Sequence, residues 1–329
     1  MDKATISKAI LNKKVGIAAG SLALAGLGAF IYGTKIESRR YRLETVKITT
    51  RGGSRAVSGD DGSCRLRSFK ILHLSDLHLC EPESHKIKFV QKVTDADYDL
   101  IVFTGDIFEN YSGMKYASSL ITRPAKLVNY AVLGNHDYYD YNLFNKLVGR
   151  LNRSWRHPDQ FRDVDPLIQA LESAGIEVMR NETRRHPEQG LHVVGVDYPG
   201  IRDEELKSLA DEAPSGHCVL ALFHIPRRID KFVKAGVHLA LGGHTHGGQI
   251  RIPGVGAIIT DCELDRSEAS GVIWRDDTAF HISRGLGADP RTNIRFFCPP
   301  AATIIELTHD PLARSTKVQR SEATIKELG

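Results

Sequence analysis

The sequence contains no C-x-x-C pair, no internal repeat and little excess charge. Its five cysteines, Cys64, Cys80, Cys218, Cys262 and Cys298, are odd in number and far apart. That argues against a disulfide framework and against a thiolate zinc site, and it fits a reducing compartment. A net charge of +4 over 329 residues leaves no electrostatic footprint for nucleic acid. With 41% hydrophobic and 26% charged residues, the chain is neither globally disordered nor a coiled coil. Nothing in it implies an obligate protein partner.

One stretch lacks charge altogether. Val15 to Gly33 runs 19 residues without an ionisable side chain other than Tyr32. That is long enough to cross a bilayer as a helix and longer than most secretory apolar cores. The alternatives are a cleaved signal peptide or a buried glycine-rich helix. Residues 1–14 form a basic N-terminus with Lys3, Lys8, Lys13 and Lys14, and residues 15–33 are expected to be a transmembrane helix. Lys35, Arg39, Arg40, Arg42, Lys47 and Arg51 follow the span. Four cations before it against six after it lean towards a cytoplasmic catalytic domain on a single-pass anchor.

The remaining chain divides into a linker and edge strand over 34–64, a domain over 65–307 and a polar, mobile tail over 308–329. Within the domain, apolar runs alternate with helical stretches, as in βαβ units. The run at 69–74 enters Ser75-Asp76-Leu77-His78, and that at 99–103 enters Thr104-Gly105-Asp106. Asn129 to Leu133 leads into Gly134-Asn135-His136-Asp137. Cys218 to Phe223 is followed by His224, and Val237 to Leu241 by Gly242-Gly243-His244-Thr245-His246. Histidines two apart in an extended segment project to one side, and glycines let the backbone turn sharply and approach closely. Open α/β sheets place ligands at such strand ends.

The strand ends therefore supply Asp76, His78, Asp106, Asn135, His224, His244 and His246. Oxygen and imidazole donors without thiolate suit two divalent metal ions, manganese first, with iron, zinc or magnesium as alternatives. Seven ligands exceed one open catalytic site but suffice for two ions if one carboxylate bridges them. Such a pair would clamp the oxygens of a phosphoryl displacement. Taken singly, Asp76 or Asp106 could instead cap a turn, and His224 before Ile225-Pro226 could be structural.

These motifs, in this order, resemble the calcineurin-like metallophosphoesterases over about residues 65–307. The resemblance implies a four-layer αββα sandwich. It implies one ion on Asp76, His78, Asp106 and His246, and another on Asp106, Asn135, His224 and His244. It gives His136 the scissile phosphate and the leaving group, with Asp137 orienting its imidazole. Segments 247–253 and 283–287 look like the membrane-associated bacterial branch. That branch includes enzymes that split UDP-2,3-diacylglucosamine, yielding lipid X and UMP in lipid A synthesis. Cys80 stands where the family often has glycine. Another phosphodiester or a cell-envelope phosphate ester is the alternative substrate. An inactive scaffold would be free to lose ligands, and none is missing.

A substrate-binding excursion is expected over 142–162. Phe144, Leu147, Val148 and Leu151 recur as one apolar helical face, with Lys146, Arg150 and Arg153 off it. Phe144, Leu147, Arg150 and Leu151 are thus candidates to meet a lipid-linked phosphate substrate. Arg284 is a further phosphate-binding candidate, with a surface ion pair as its alternative.

Overall fold

The computed structural model describes residues 3–51, 67–141, 160–260, 262–288, 293–310 and 324–327. Two large sheets face each other. The first, of seven strands, runs in the order 324–327, 42–51, 301–310, 67–74, 100–104, 128–132, 176–178. The last four of these are mutually parallel. The second has six strands, ordered 271–275, 278–282, 239–242, 218–222, 191–195, 182–186. Its four central strands are parallel, and antiparallel strands close both edges.

Central strands such as Leu100–Thr104 and Cys218–Leu222 are buried along their whole length. That is why they read as continuous apolar runs, not alternating ones. One side of each sheet supplies a shared layer. Ile71, Leu100, Val102 and Tyr130 from the first sheet meet Leu191, Leu220, Leu222 and Leu239 from the second. On its outer face the first sheet packs Leu72, Ile101 and Phe103 against Val90, Leu167 and Leu171. Those partners lie on the helices Ser84–Thr94 and Asp165–Ser173. The second sheet packs Val194, Val219 and Ala221 against Leu206 and Phe232, on the helices Asp203–Asp211 and Asp230–Lys234. Helix, sheet, sheet and helix make the four-layer sandwich.

Three boundaries differ from expectation. The strand Arg42–Arg51 is not at the edge, because Thr324–Glu327 pairs antiparallel along its outer side. The tail expected from residue 308 begins later, since Ala301–Asp310 is one strand paired on both sides. In both cases the polar sequence hides the pairing, because backbone hydrogen bonds hold an edge without apolar side chains. The N-terminal helix starts at Lys3 and takes in the basic stretch, then ends at Ile31. Gly33, inside the expected span, is buried in the domain instead.

That helix carries exposed Leu22, Leu24, Leu27 and Phe30. It is the one helix among the described residues that is long and apolar enough to cross a membrane. Its end is clamped. The Arg295 amide donates to the Gly33 carbonyl at 3.1 Å, and a Cβ on Gly33 would lie 2.8 Å from the Arg295 carbonyl oxygen. Glu37 is buried and accepts from the Cys298 amide at 2.5 Å.

Candidate metal centre

All seven expected ligands lie at the C-terminal ends of parallel strands and converge between the two sheets. The chain leaves each strand by a sharp turn. Asp76, His78, Asp106, His244 and His246 have φ of 50°, 45°, 51°, 71° and 51°. Left-handed conformation at five such residues is backbone strain of the kind stored at functional sites. Glycines make the room: a Cβ on Gly134 would lie 2.3 Å from Asp106 Oδ1, and one on Gly243 would lie 2.4 Å from Asp76 Oδ2. The loop at 283–287 does the same from the other side, where Gly285 with φ of 68° lies against Asp76.

Three groupings could each hold a cation by the mutual approach of their donor atoms. They are Asp76 with His78 and His246, His78 with Asp106 and His136, and Asp106 with His224 and His244. His224 Nε2 lies 3.1 Å from Asp106 Oδ2 and 3.2 Å from Asn135 Oδ1. His78 Nε2 lies 3.7 Å from the same Asp106 oxygen and 3.3 Å from His246 Nε2. A proton or a cation must sit between two imidazole nitrogens that close. His246 Nδ1 is buried without a hydrogen-bond partner. Uncompensated nitrogens among buried carboxylates fit divalent cations, and the donor set is oxygen and imidazole.

The supporting residues were less visible in sequence. Glu109 accepts from His78 Nδ1 at 2.8 Å and from His136 Nδ1 at 3.0 Å. It fixes both tautomers and leaves each Nε2 free, as outer-shell carboxylates do for metal-ligating histidines. Its only sequence signal is an acid three places beyond Asp106 in a loop. Asp137 does not orient His136. Its carboxylate accepts backbone N–H groups from Ile107, Phe108 and Gly134, at 3.1, 3.0 and 2.8 Å. It therefore ties the Asp106 loop to the His136 loop. Asn135 donates its amide to the Tyr141 hydroxyl at 3.1 Å, which turns its oxygen towards His224. Buried Arg162 donates to the carbonyls of His136 and Glu109 at 2.8 and 2.7 Å.

Arg284 takes the ion-paired alternative. Its guanidinium is ion-paired with Glu44, a strand residue far away in sequence. Phe144, Leu147, Arg150 and Leu151 lie outside the described residues. The described end of that excursion, Gln160–Phe161, pairs with Tyr139–Asp140 as a short ribbon.

The electrostatics follow from burial. Burial opposes charge on His224, but the Asp106 carboxylate outweighs it and raises the His224 pKa to about 9. Burial also opposes ionisation of Asp106, yet the surrounding imidazoles hold its pKa well below the usual range. Burial, reinforced by the charge of His224, lowers His244 to about 3. Burial and the Asp106 charge raise Asp137 to about 6, against its backbone N–H bonds.

The family model for calcineurin-like phosphoesterases matches residues 69–248, more than half of the chain. The chain belongs to that family. As a calcineurin-like phosphoesterase it is a hydrolase of phosphoester bonds, and the family binds divalent metals. It is similar to the uncharacterized metallophosphoesterase YkuE of Bacillus subtilis (strain 168), at 28% identity over 88% of this chain and 93% of that one. UDP-2,3-diacylglucosamine pyrophosphatase LpxG of Chlamydia muridarum is 26% identical over 75% of this chain and 85% of its own length. Phosphodiesterase YaeI of Escherichia coli (strain K12) is 28% identical over 73% and 82%.

Proposed function

We propose that this calcineurin-like phosphoesterase is a membrane-anchored, two-metal enzyme that hydrolyses a phosphodiester or pyrophosphate bond in a lipid-linked substrate. UDP-2,3-diacylglucosamine, giving lipid X and UMP, is the leading candidate. The observation that carries the reading is the position of Asp106, whose one oxygen faces His78 on one side and His224 on the other. Asp106 would be shared between two divalent ions, manganese first. Asp76, His78 and His246 would complete one site, and Asn135, His224 and His244 the other. When bound, the pair supplies charge neutralisation at the phosphoryl oxygens and an acidified water at neutral pH.

The chain's own residues then do the rest. His136 gives its Nδ1–H to Glu109, and as the imidazolium, which that carboxylate stabilises, it would pass its Nε2 proton to the leaving oxygen. Asp137 keeps the two loops in register. A cleft beside His224 is lined by Tyr198, Arg227 and Lys231, and its cations would receive the substrate's remaining phosphate charge. The exposed apolar residues Leu22, Leu24, Leu27 and Phe30 of the helix Lys3–Ile31 suit an inner-membrane anchor, and the basic residues after it suit a cytoplasmic domain. LpxG carries its named activity at similar length, which supports the lipid-linked substrate. YaeI supports phosphodiester hydrolysis more broadly.

The test is to incubate purified full-length protein with UDP-2,3-diacylglucosamine and Mn²⁺ and to follow UMP. Metal-dependent UMP release is expected. Hydrolysis of bis-p-nitrophenyl phosphate without UMP release would leave another phosphodiester as substrate. No metal-dependent hydrolysis of either would favour the inactive scaffold. Leu147→Glu sharpens the substrate: it should slow an acylated substrate and spare the soluble diester.

A further inference from the structure

We infer that the ribbon after the second histidine pair, with Phe297 and Ile36, is a second membrane contact that seats the metal centre against the lipid surface. The inference rests on the reading of Lys3–Ile31 as a membrane anchor. Residues 252–260, Ile-Pro-Gly-Val-Gly-Ala-Ile-Ile-Thr, carry no charge in a chain that is 26% charged. Arg251–Ile252 and Gly256–Ala257 pair antiparallel around a Pro253-Gly254 turn. Val255, Phe297, Ile259 and Ile252 are 58%, 52%, 48% and 46% exposed. Ile36 and Ile258 are exposed as well. Scattered apolar side chains on a surface need no explanation, whereas a contiguous apolar patch does.

A chain of contacts joins this patch to the helix end. The Tyr32 ring packs edge-on against Phe296 at 6.0 Å, and Phe296 packs against Phe297 at 4.6 Å. The Arg251 amide donates to the Phe296 carbonyl at 2.8 Å, and the Phe296 amide to the Gln249 carbonyl at 2.9 Å. With Gly33 and Glu37 clamped to the domain, the helix is no loose tether. The patch therefore holds a set position beside the point where the helix leaves the domain. Exposed Lys35, Arg39 and Arg40 lie at the same place and suit anionic headgroups. Apolar tips flanked by cations are the composition of an interfacial contact. The occupant proposed is thus the bilayer that holds the helix, not a second copy or a protein partner.

The consequence is mechanistic. The ribbon continues directly from His244 and His246 through Gly247 and Gly248, and Gly248 packs against Ala257. A ribbon resting in the interface brings the metal centre to headgroup depth. A lipid-borne phosphate could then reach it without leaving the membrane.

Full-length protein in vesicles of phosphatidylcholine and phosphatidylglycerol, with and without brominated acyl chains, provides the test. Tryptophan is introduced singly by Val255→Trp or Phe297→Trp, and each is read against the parent containing Trp155 and Trp274. Leu24→Trp reports the anchor. Lys126→Trp, at the opposite end of the first sheet, is the aqueous control. Bromolipid should quench V255W and F297W several-fold more than K126W. Quenching of L24W alone would overturn the second contact and leave the anchor standing. Quenching of none would overturn both. Shielding of V255W from lipid and from iodide alike, growing with protein concentration, would assign the patch to a second copy and also overturn the proposal.

Discussion

The two halves of the metal centre are held differently. His78, in the half with Asp76 and His246, is gripped from behind by the Glu109 carboxylate, and Asp76 is covered by the glycine loop that fully buried Arg295 fixes through the carbonyls of Arg284 and Gly285. The half with Asn135, His224 and His244 has neutral supports: His224 Nδ1 donates to the Thr104 carbonyl at 2.7 Å, and Asn135 leans on Tyr141. That half also borders the cleft with Arg227 and Lys231. Both kinds of acceptor raise the basicity of a histidine ligand, and a carboxylate, being charged, raises it more. On the proposed two-metal reading, the first half would hold its ion more tightly, and the second would remain open to substrate.

Removing what the halves share should have the largest effect. Asp106→Ala deletes the shared carboxylate and is expected to cut turnover by on the order of 10³-fold or more, about 4 kcal/mol of barrier. Folding should suffer less, since the residue lies beyond the strand end. Activity within about tenfold of the parent would mean the halves do not share a ligand. His136→Ala comes next, at about 10²–10⁴-fold in turnover with near-normal metal content. Because His136 also groups with His78 and Asp106, metal analysis decides whether it assists chemistry or binds an ion. A substrate with a good leaving group should restore part of the loss only in the first case.

The asymmetry itself is tested by Glu109→Gln against Tyr141→Phe. The first should weaken binding of one ion by about 10–100-fold. The second removes only a neutral hydrogen bond, worth about 1 kcal/mol, and should act less. Equal losses would erase the distinction between the halves. The smallest effect is on stability. In metal-free protein the His224 pKa is about 9, above the ordinary 6.5. The stabilisation this brings is fully present below pH 6.5 and is lost as pH rises through about 9. Its size is on the order of 3 kcal/mol. Melting curves in chelator should fall across that window, while metal-loaded protein should not follow, because a cation takes the proton's place.

The parts legible in sequence were those written locally. A buried parallel strand is an apolar run, and its ligand follows within a few residues, as at Thr104-Gly105-Asp106. Side-chain partners across the fold left no such trace. Glu109 serves two histidines, His78 and His136, that are far apart in the chain. Arg284 looked available for phosphate because Glu44, 240 residues away, cannot be paired with it by pattern. Asp137 was assigned to the adjacent imidazole, yet a short turn gives its oxygens three backbone N–H groups instead. The ribbon at 251–257 entered the sequence reading only through the branch-like segment 247–253, and its pairing and exposure come from the fold.

Metal stoichiometry of the full-length protein tests the account most directly. Chelator-stripped protein titrated with Mn²⁺ should take up about two ions per chain, releasing protons as the histidine ligands give them up. Asp106→Ala should lose both high-affinity sites. Saturation at one ion, or two ions retained by Asp106→Ala, would contradict a bridged pair.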